Sequence, residues 1–210
     1  MVRKITDKVP DKVLAADLES YRQEAIRLGA TDAKIITTDE VIVDERVRMK
    51  CRVPMCNLYG VSANCPPYSP TSAETREVVK KYRYAIFCTV ETPPEGTVGT
   101  DAALANSFRR KMGKIISEIE AMAYYDGYYF AMGFSGGACK QAYCNKLECS
   151  ALKPGQACRV PLKARPVMEA VGIDAFLMAT KVGWDVYPAG RKLKVEDIPC
   201  GRRLGLVLIY

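Results

Sequence analysis

Apolar residues recur along the chain at two different periods, and each period predicts a kind of element. Leu14, Leu18, Tyr21, Ala25 and Leu28 fall at helical spacing behind Asp11 as a cap, and Gly29 ends the run. Residues 33–37 and 41–44 flank Thr38, Asp39 and Glu40 and read as a hairpin with a short polar loop. Thr71 and Glu74 form a capping-box pair that opens a helix to about Lys81, and Tyr84, Ile86, Cys88 and Val90 then alternate as one face of a strand. After a turn-rich stretch, Leu104, Phe108, Met112, Ile115, Ile116, Ile119 and Met122 hold a helical stripe to about Tyr125, where Asp126 and Gly127 stop it. Residues 128–134 read as a strand, so the strand, helix, strand order predicts a crossover joining parallel strands. Pro166 and Asp174 read as helix starts, Gly172 and Gly183 as helix ends, and residues 204–210 as a buried terminal strand. The expectation is an α/β or α+β fold with a single mixed sheet, in one domain covering residues 1–210.

Two stretches, residues 51–70 and 135–165, follow neither period and read as loops. They carry most of the cysteines of a chain with nine cysteines and no histidine. Lack of histidine removes histidine-ligated zinc and haem, the Ser-His-Asp and Cys-His nucleophiles, and a histidine general base. Cys51, Cys56 and Cys65 are spaced C-x4-C-x8-C, and Cys144, Cys149 and Cys158 repeat that spacing. Cys139 adds a fourth thiol to the second loop. Structural zinc needs four sulfurs about 2.3 Å from one ion and favours tight knuckles, which the x8 gaps fit poorly. An iron–sulfur cube holds its thiolates further apart and accepts longer gaps; Pro66 after Cys65 also matches a proline seen after ferredoxin ligands. Disulfides suit neither a cytosolic compartment nor the repeat. Cys88 reads as a buried strand residue, and Cys200, between Pro199 and Gly201, as either an idle thiol or a ligand from the far end of the chain.

The segments CRVPMCNLYGVSANCPPYSP and GACKQAYCNKLECSALKPGQACRVPLKARPVMEAVGID resemble the two signature regions of a prokaryotic family known as predicted metal-binding proteins, domain of unknown function 2284. Arg165, Pro166, Met168, Glu169, Ala170, Gly172, Ile173 and Asp174 carry its more specific part. The resemblance implies metal binding, in iron–sulfur form, at Cys51, Cys56, Cys65, Cys139, Cys144, Cys149 and Cys158. It implies no reaction, and it does not extend to Cys88 or Cys200.

Charge narrows the partners. The formal net charge is +7. Arg46, Arg48, Lys50 and Arg52 flank the first cysteines, and Lys140, Lys146, Arg159, Lys163 and Arg165 the second. Part of this compensates thiolate charge; the remainder favours an acidic electron-transfer protein, such as a ferredoxin or flavodoxin, or a small anionic ligand. No helix-turn-helix or aromatic-basic pattern supports nucleic acid. GFSGG (residues 133–137) lacks the full dinucleotide fingerprint and reads as glycine that lets backbone approach a cluster, while Tyr124, Tyr125, Tyr128 and Tyr129 read as packing. Neither a signal peptide nor an apolar span for a membrane is found, so a cytoplasmic setting is expected. The leading expectation is an iron–sulfur redox protein of anaerobic metabolism with one or two 4Fe–4S clusters. One alternative is an enzyme with an open iron at Cys51, Cys56 and Cys65, acting on a small anionic or sulfur-containing substrate; another is a zinc-binding interaction module.

Overall fold

The computed structural model describes residues 2–99, 101–189 and 193–210. Its helices are α1 (Asp11–Arg27), α2 (Glu45–Met49), α3 (Ser72–Val79), α4 (Pro94–Val98), α5 (Ala102–Tyr125) and α6 (Ala175–Lys181). Its strands are β1 (Asp32–Thr37), β2 (Tyr84–Thr92), β3 (Met132–Phe134) and β4 (Gly201–Leu208). The strands form one sheet in the order β1-β2-β4-β3, with every ladder antiparallel, so the fold is α+β. The expected mixed sheet is thereby corrected. Because β2 and β3 both run against β4, they are parallel to each other, and the crossover through α5 is split by the terminal strand between them.

Side chains along each strand alternate between two layers, as the pleat requires. Ile86, Cys88, Val90 and Val207 face α1 and α5, packing on Leu14, Leu18, Tyr21, Met112, Ile115, Ile116 and Ile119. Ala85, Phe87, Leu204, Leu206 and Leu208 face the opposite side, against Met168, Val171, Ile173, Met178 and Trp184. Close approach of α5 to β4 demands a glycine: a Cβ on Gly205 would lie 2.6 Å from Met112 Sδ and 2.7 Å from Ile116 Cδ1. Asp101 caps α5 by accepting from Leu104 N–H at 2.8 Å, and Thr71 with Glu74 makes the expected capping box of α3.

Two further expectations are corrected. Residues 33–37 and 41–44 do not form a hairpin: Thr37 and Glu40 form a capping box around the single turn Thr38–Glu40, and β1 pairs with β2 instead. Val43 makes only an isolated bridge, to Ile173. Strand β3 is shorter than residues 128–134 because the turn that ends α5 takes up that backbone. Tyr128 N–H donates to Ala123 at 2.9 Å and Ala131 N–H to Tyr128 at 2.8 Å. Of the four tyrosines read as packing, Tyr128 is buried and donates to Asp17 at 2.7 Å, whereas Tyr124, Tyr125 and Tyr129 are exposed.

Residues 166–174 hold the two cysteine segments together. Pro166 accepts from Ser135 N–H at 2.8 Å, Ala170 from Ser69 Oγ at 2.7 Å, and Gly172 from Asp44 N–H at 2.9 Å. Asp174 N–H donates to Ile42 at 2.8 Å. The first expected helix here is only the single turn Met168–Val171; the second is α6, which Asp174 caps. Gly172 sits at φ +89°, and a Cβ there would lie 2.3 Å from Ser72 Oγ at the start of α3. Gly172→Ala should therefore cost about 1–2 kcal/mol from backbone handedness, with any crowding of Ser72 added to it. The expected readout is a lower urea midpoint at unchanged slope; an unaltered midpoint would show that residue 172 leaves the left-handed region at no cost.

Candidate metal centre

The first cysteine segment begins where α2 stops. Asp44 caps that helix by accepting from Arg46 N–H at 2.8 Å, and Cys51 N–H still donates to Arg48 at 3.0 Å. Tight turns then follow one another. Cys56 N–H donates to Cys51 at 3.0 Å, Gly60 N–H to Pro66 at 2.8 Å, and Cys65 N–H to Ser62 at 3.0 Å. Residues 50–71 contain no helix or strand, as expected from their composition. Cys65 is buried, and Cys51 and Cys56 are half-buried.

The second segment leaves β3 at Ser135, whose bridge to Val167 closes its base. Cys139 precedes a wide turn, Lys140–Cys144, that packs beside α5: a Cβ on Gly113 would lie 2.3 Å from Tyr143 Oη. Cys149 accepts from Leu152 N–H at 3.2 Å, and Val160 N–H points at Cys158 Sγ at 3.5 Å. Cys139, Cys144, Cys149 and Cys158 wall one cavity of about 230 Å³, whose remaining wall includes Ser62, Ala63 and Asn64 of the first segment. No carboxylate lines it. Cys51 and Cys56 open on a second cavity, of about 580 Å³, beside Glu169, Asp174 and Phe176.

Contacts between the segments were not legible from spacing. Cys139 Sγ lies 3.4 Å from Asn64 Nδ2 and 3.6 Å from Ser62 Oγ. Burial pushes the Cys65 thiol up to about 12, helped by the charges of Cys139, Cys51 and Cys56 in that order. Burial, Cys56 and Glu169 also raise Cys51, against Arg48. Cys139, Cys144, Cys149 and Cys158 thus share one cavity and Cys51 with Cys56 another, while Cys65 is buried and walls neither. Soft thiolates without histidine suit zinc, copper or an iron–sulfur cluster better than a hard cation. Among the described residues, no group of three or more cysteine, aspartate or glutamate side chains is set to hold a single metal ion.

The remaining candidates sort out by position. Cys88 lies in the core at 1% exposure, 3.8 Å from Met112 Sδ. Cys200 precedes β4 and walls neither cysteine cavity. Several flanking cations serve other partners: Arg46 pairs with Asp44, Arg165 with Glu120, and Arg159 donates to the Glu148 carbonyl. Glu169 and Arg203 are the residues whose setting the sequence did not disclose. Glu169 is shared between the Cys51 cavity and a third one, of about 240 Å³, that Arg203 also lines.

A family model described as predicted metal-binding protein (DUF2284) matches residues 34–209. No curated protein and no solved structure matches the chain. Among the described residues, no helix is long and apolar enough to cross a membrane.

Cys88 separates packing from ligation. Cys88→Ser should leave the metal content of the purified protein unchanged and lower stability by about 1–3 kcal/mol, the cost of burying an ill-paired hydroxyl. Metal loss in this variant would move Cys88 out of the core and into the site.

Proposed function

The chain belongs to the family of predicted metal-binding proteins, and on that premise we propose that it is an iron–sulfur protein that passes electrons in anaerobic metabolism. One observation carries the reading: four thiols and no carboxylate wall the cavity of about 230 Å³. Cys139, Cys144, Cys149 and Cys158 would hold one 4Fe–4S cluster, and Cys51, Cys56 and Cys65 would hold a second with three thiolates. Bound clusters of this kind supply one-electron transfer at a potential set by charge, burial and hydrogen bonds to sulfur.

This chain's contribution is to fix the thiolates and temper their charge. Val160 N–H and Asn64 Nδ2 each lie within reach of a cysteine sulfur, at 3.5 and 3.4 Å. Such donors favour the more negative, reduced state. Around the cysteines the surface mixes exposed apolar side chains, Val53, Met55, Leu147 and Leu162, with Lys50, Arg52, Lys146 and Lys163, which make no ion pair among the described residues. An acidic electron-transfer protein suits that surface. Nine free thiols also suit the reducing cytoplasm.

Purified without oxygen, the protein should be brown, with broad absorbance near about 400 nm and iron matched by acid-labile sulfide. A colourless protein with stoichiometric zinc would overturn the reading and favour a zinc-binding interaction module.

The Arg203 cavity favours a second reading, an enzyme that uses an open metal corner at Cys51, Cys56 and Cys65 on a small anion. Arg203 Nε is buried without a partner. Burial and the neighbouring Arg109 bring Arg203 down to about 10, while Glu169 opposes the change. Arg202 and Arg203 line that cavity against the one carboxylate of Glu169, whose ionisation burial opposes, and this leaves room for an anion beside the Cys51 cavity. Citrate or inorganic phosphate, titrated into the holoprotein, should bind in the wild type and at least about tenfold more weakly in Arg203→Gln, which loses the charge-assisted donors. Equal affinities would sink the reading.

A further inference from the structure

Tyr124 and Tyr125, expected to pack inside, stand exposed beside a groove that no cysteine lines. We propose that this groove, between α5 and residues 162–165, binds a mononucleotide, with its ring against Tyr124 and Tyr125 and its phosphate on Lys114 and Lys163. The site is separate from both cysteine cavities and stands whichever metal the thiols hold.

Shape and charge together carry the proposal. The groove encloses about 660 Å³, more than either cysteine cavity or the Arg203 cavity, and small-molecule sites fall at about 300–1,000 Å³. Its long wall is one stripe of α5, where Arg110, Lys114, Ser117, Ala121 and Tyr124 follow one another at helical spacing with Tyr125 beside the last. Small Ser117 and Ala121 form a floor between a cationic end and an aromatic end. Lys114 and Tyr124 stand about 15 Å apart along the helix axis, a span that the flexible lysine arm reduces to the reach of a base and its phosphate. The two rings meet edge to face, with centroids 5.5 Å apart and planes at 82°, so ring surface stays uncovered for stacking. Charge then selects an anion. Glu120 is taken by Arg165, and Arg110 donates to the Ala142 carbonyl at 3.4 Å. Lys114 and Lys163 make no ion pair among the described residues, and Glu118, the other carboxylate of the wall, also acts on Arg27. Tyr143 borders the groove as well, and its hydroxyl is buried without a partner, so one hydrogen bond there remains to be made. An acidic protein surface would answer the lysines, but the concave floor and the paired rings at one end favour a small planar ligand.

Adenosine 5′-monophosphate and flavin mononucleotide, each titrated calorimetrically into the purified protein, test the site. At least one should bind, and its parent nucleoside, adenosine or riboflavin, should bind at least about tenfold more weakly for want of the phosphate. Lys114→Gln, and Tyr124→Ala combined with Tyr125→Ala, should each weaken the nucleotide at least about tenfold. Tyr124→Phe combined with Tyr125→Phe keeps both rings and should bind as the wild type does. All three side chains are exposed, so these variants should fold and keep the wild-type metal content. If neither nucleotide binds, the proposal is overturned. If binding survives both the lysine and the alanine variants, the nucleotide sits elsewhere, the Arg203 cavity included, and the proposal is overturned again. Poly-aspartate binding in place of either nucleotide would make the groove a docking face for an acidic protein, which also overturns it. None of these outcomes touches the iron–sulfur reading, which iron and sulfide content decides.

Discussion

Residues 166–174 act as the clamp on which the rest of the site depends. Both cysteine segments lack a core of their own and consist of consecutive turns. They are fixed from below, where the clamp accepts from Ser135, Ser69 and Asp44 and donates to Ile42. Each such bond is worth about 1 kcal/mol net, and more is lost when a buried partner is left alone. Met168, Val171 and Ile173 anchor the clamp itself in the second apolar layer. Two segments far apart in sequence are thereby held side by side by one short piece of chain.

The sheet explains why that clamp has a firm base. Terminal strand β4 is inserted between β2 and β3, so the last residues of the chain close the core. Helix α5 crosses one face closely enough to require Gly205, and it also carries Arg109 and Gly113, which border the Cys139 segment. Apart from Cys144, which closes the wide turn Lys140–Cys144, the cysteines of the two triads lie outside helices and strands. The thiols themselves ride on turns, where the backbone can adjust to what it binds at less cost than within a strand ladder.

Periodicity made much of this fold legible. Helices α1, α3 and α5 and strands β2 and β4 stand close to where the apolar stripes place them. Errors arose where local polar chemistry overrode the apolar pattern. Thr37 and Glu40 satisfy each other's backbone and send Val41 and Val43 toward the clamp, and the Gly127 turn consumes residues that read as strand. In the site, the two C-x4-C-x8-C triads are visible in the sequence because spacing within a loop is local; that they are ligands belongs to the proposed function. The meeting of Asn64 with Cys139 is not visible there, since it joins residues 75 apart in sequence and follows only from the packing of one turn on another. Glu169 and Arg203 were hidden for the same reason: their significance is a cavity formed by several elements.

Charge explains what the site needs. The excess of seven positive charges suggests that local cations neutralise the thiolates, but the side chains nearest the cysteines are partly spent elsewhere. Arg46 serves Asp44, and Arg165 serves Glu120. Arg48 eases the Cys51 thiolate, but burial, Cys56 and Glu169 outweigh it, and at Cys65 three neighbouring cysteines add to burial. Without metal, burial and the neighbouring cysteines favour the protonated form of both thiols. A metal supplies the missing positive charge at the sulfur itself, and each thiolate it fixes releases a proton, so occupancy must weaken as pH falls. The same low polarity that resists bare thiolates then strengthens the bonds that replace their protons. On the proposed reading, the cysteines are built for the metal-bound state, and the basic surface is left to meet an acidic partner.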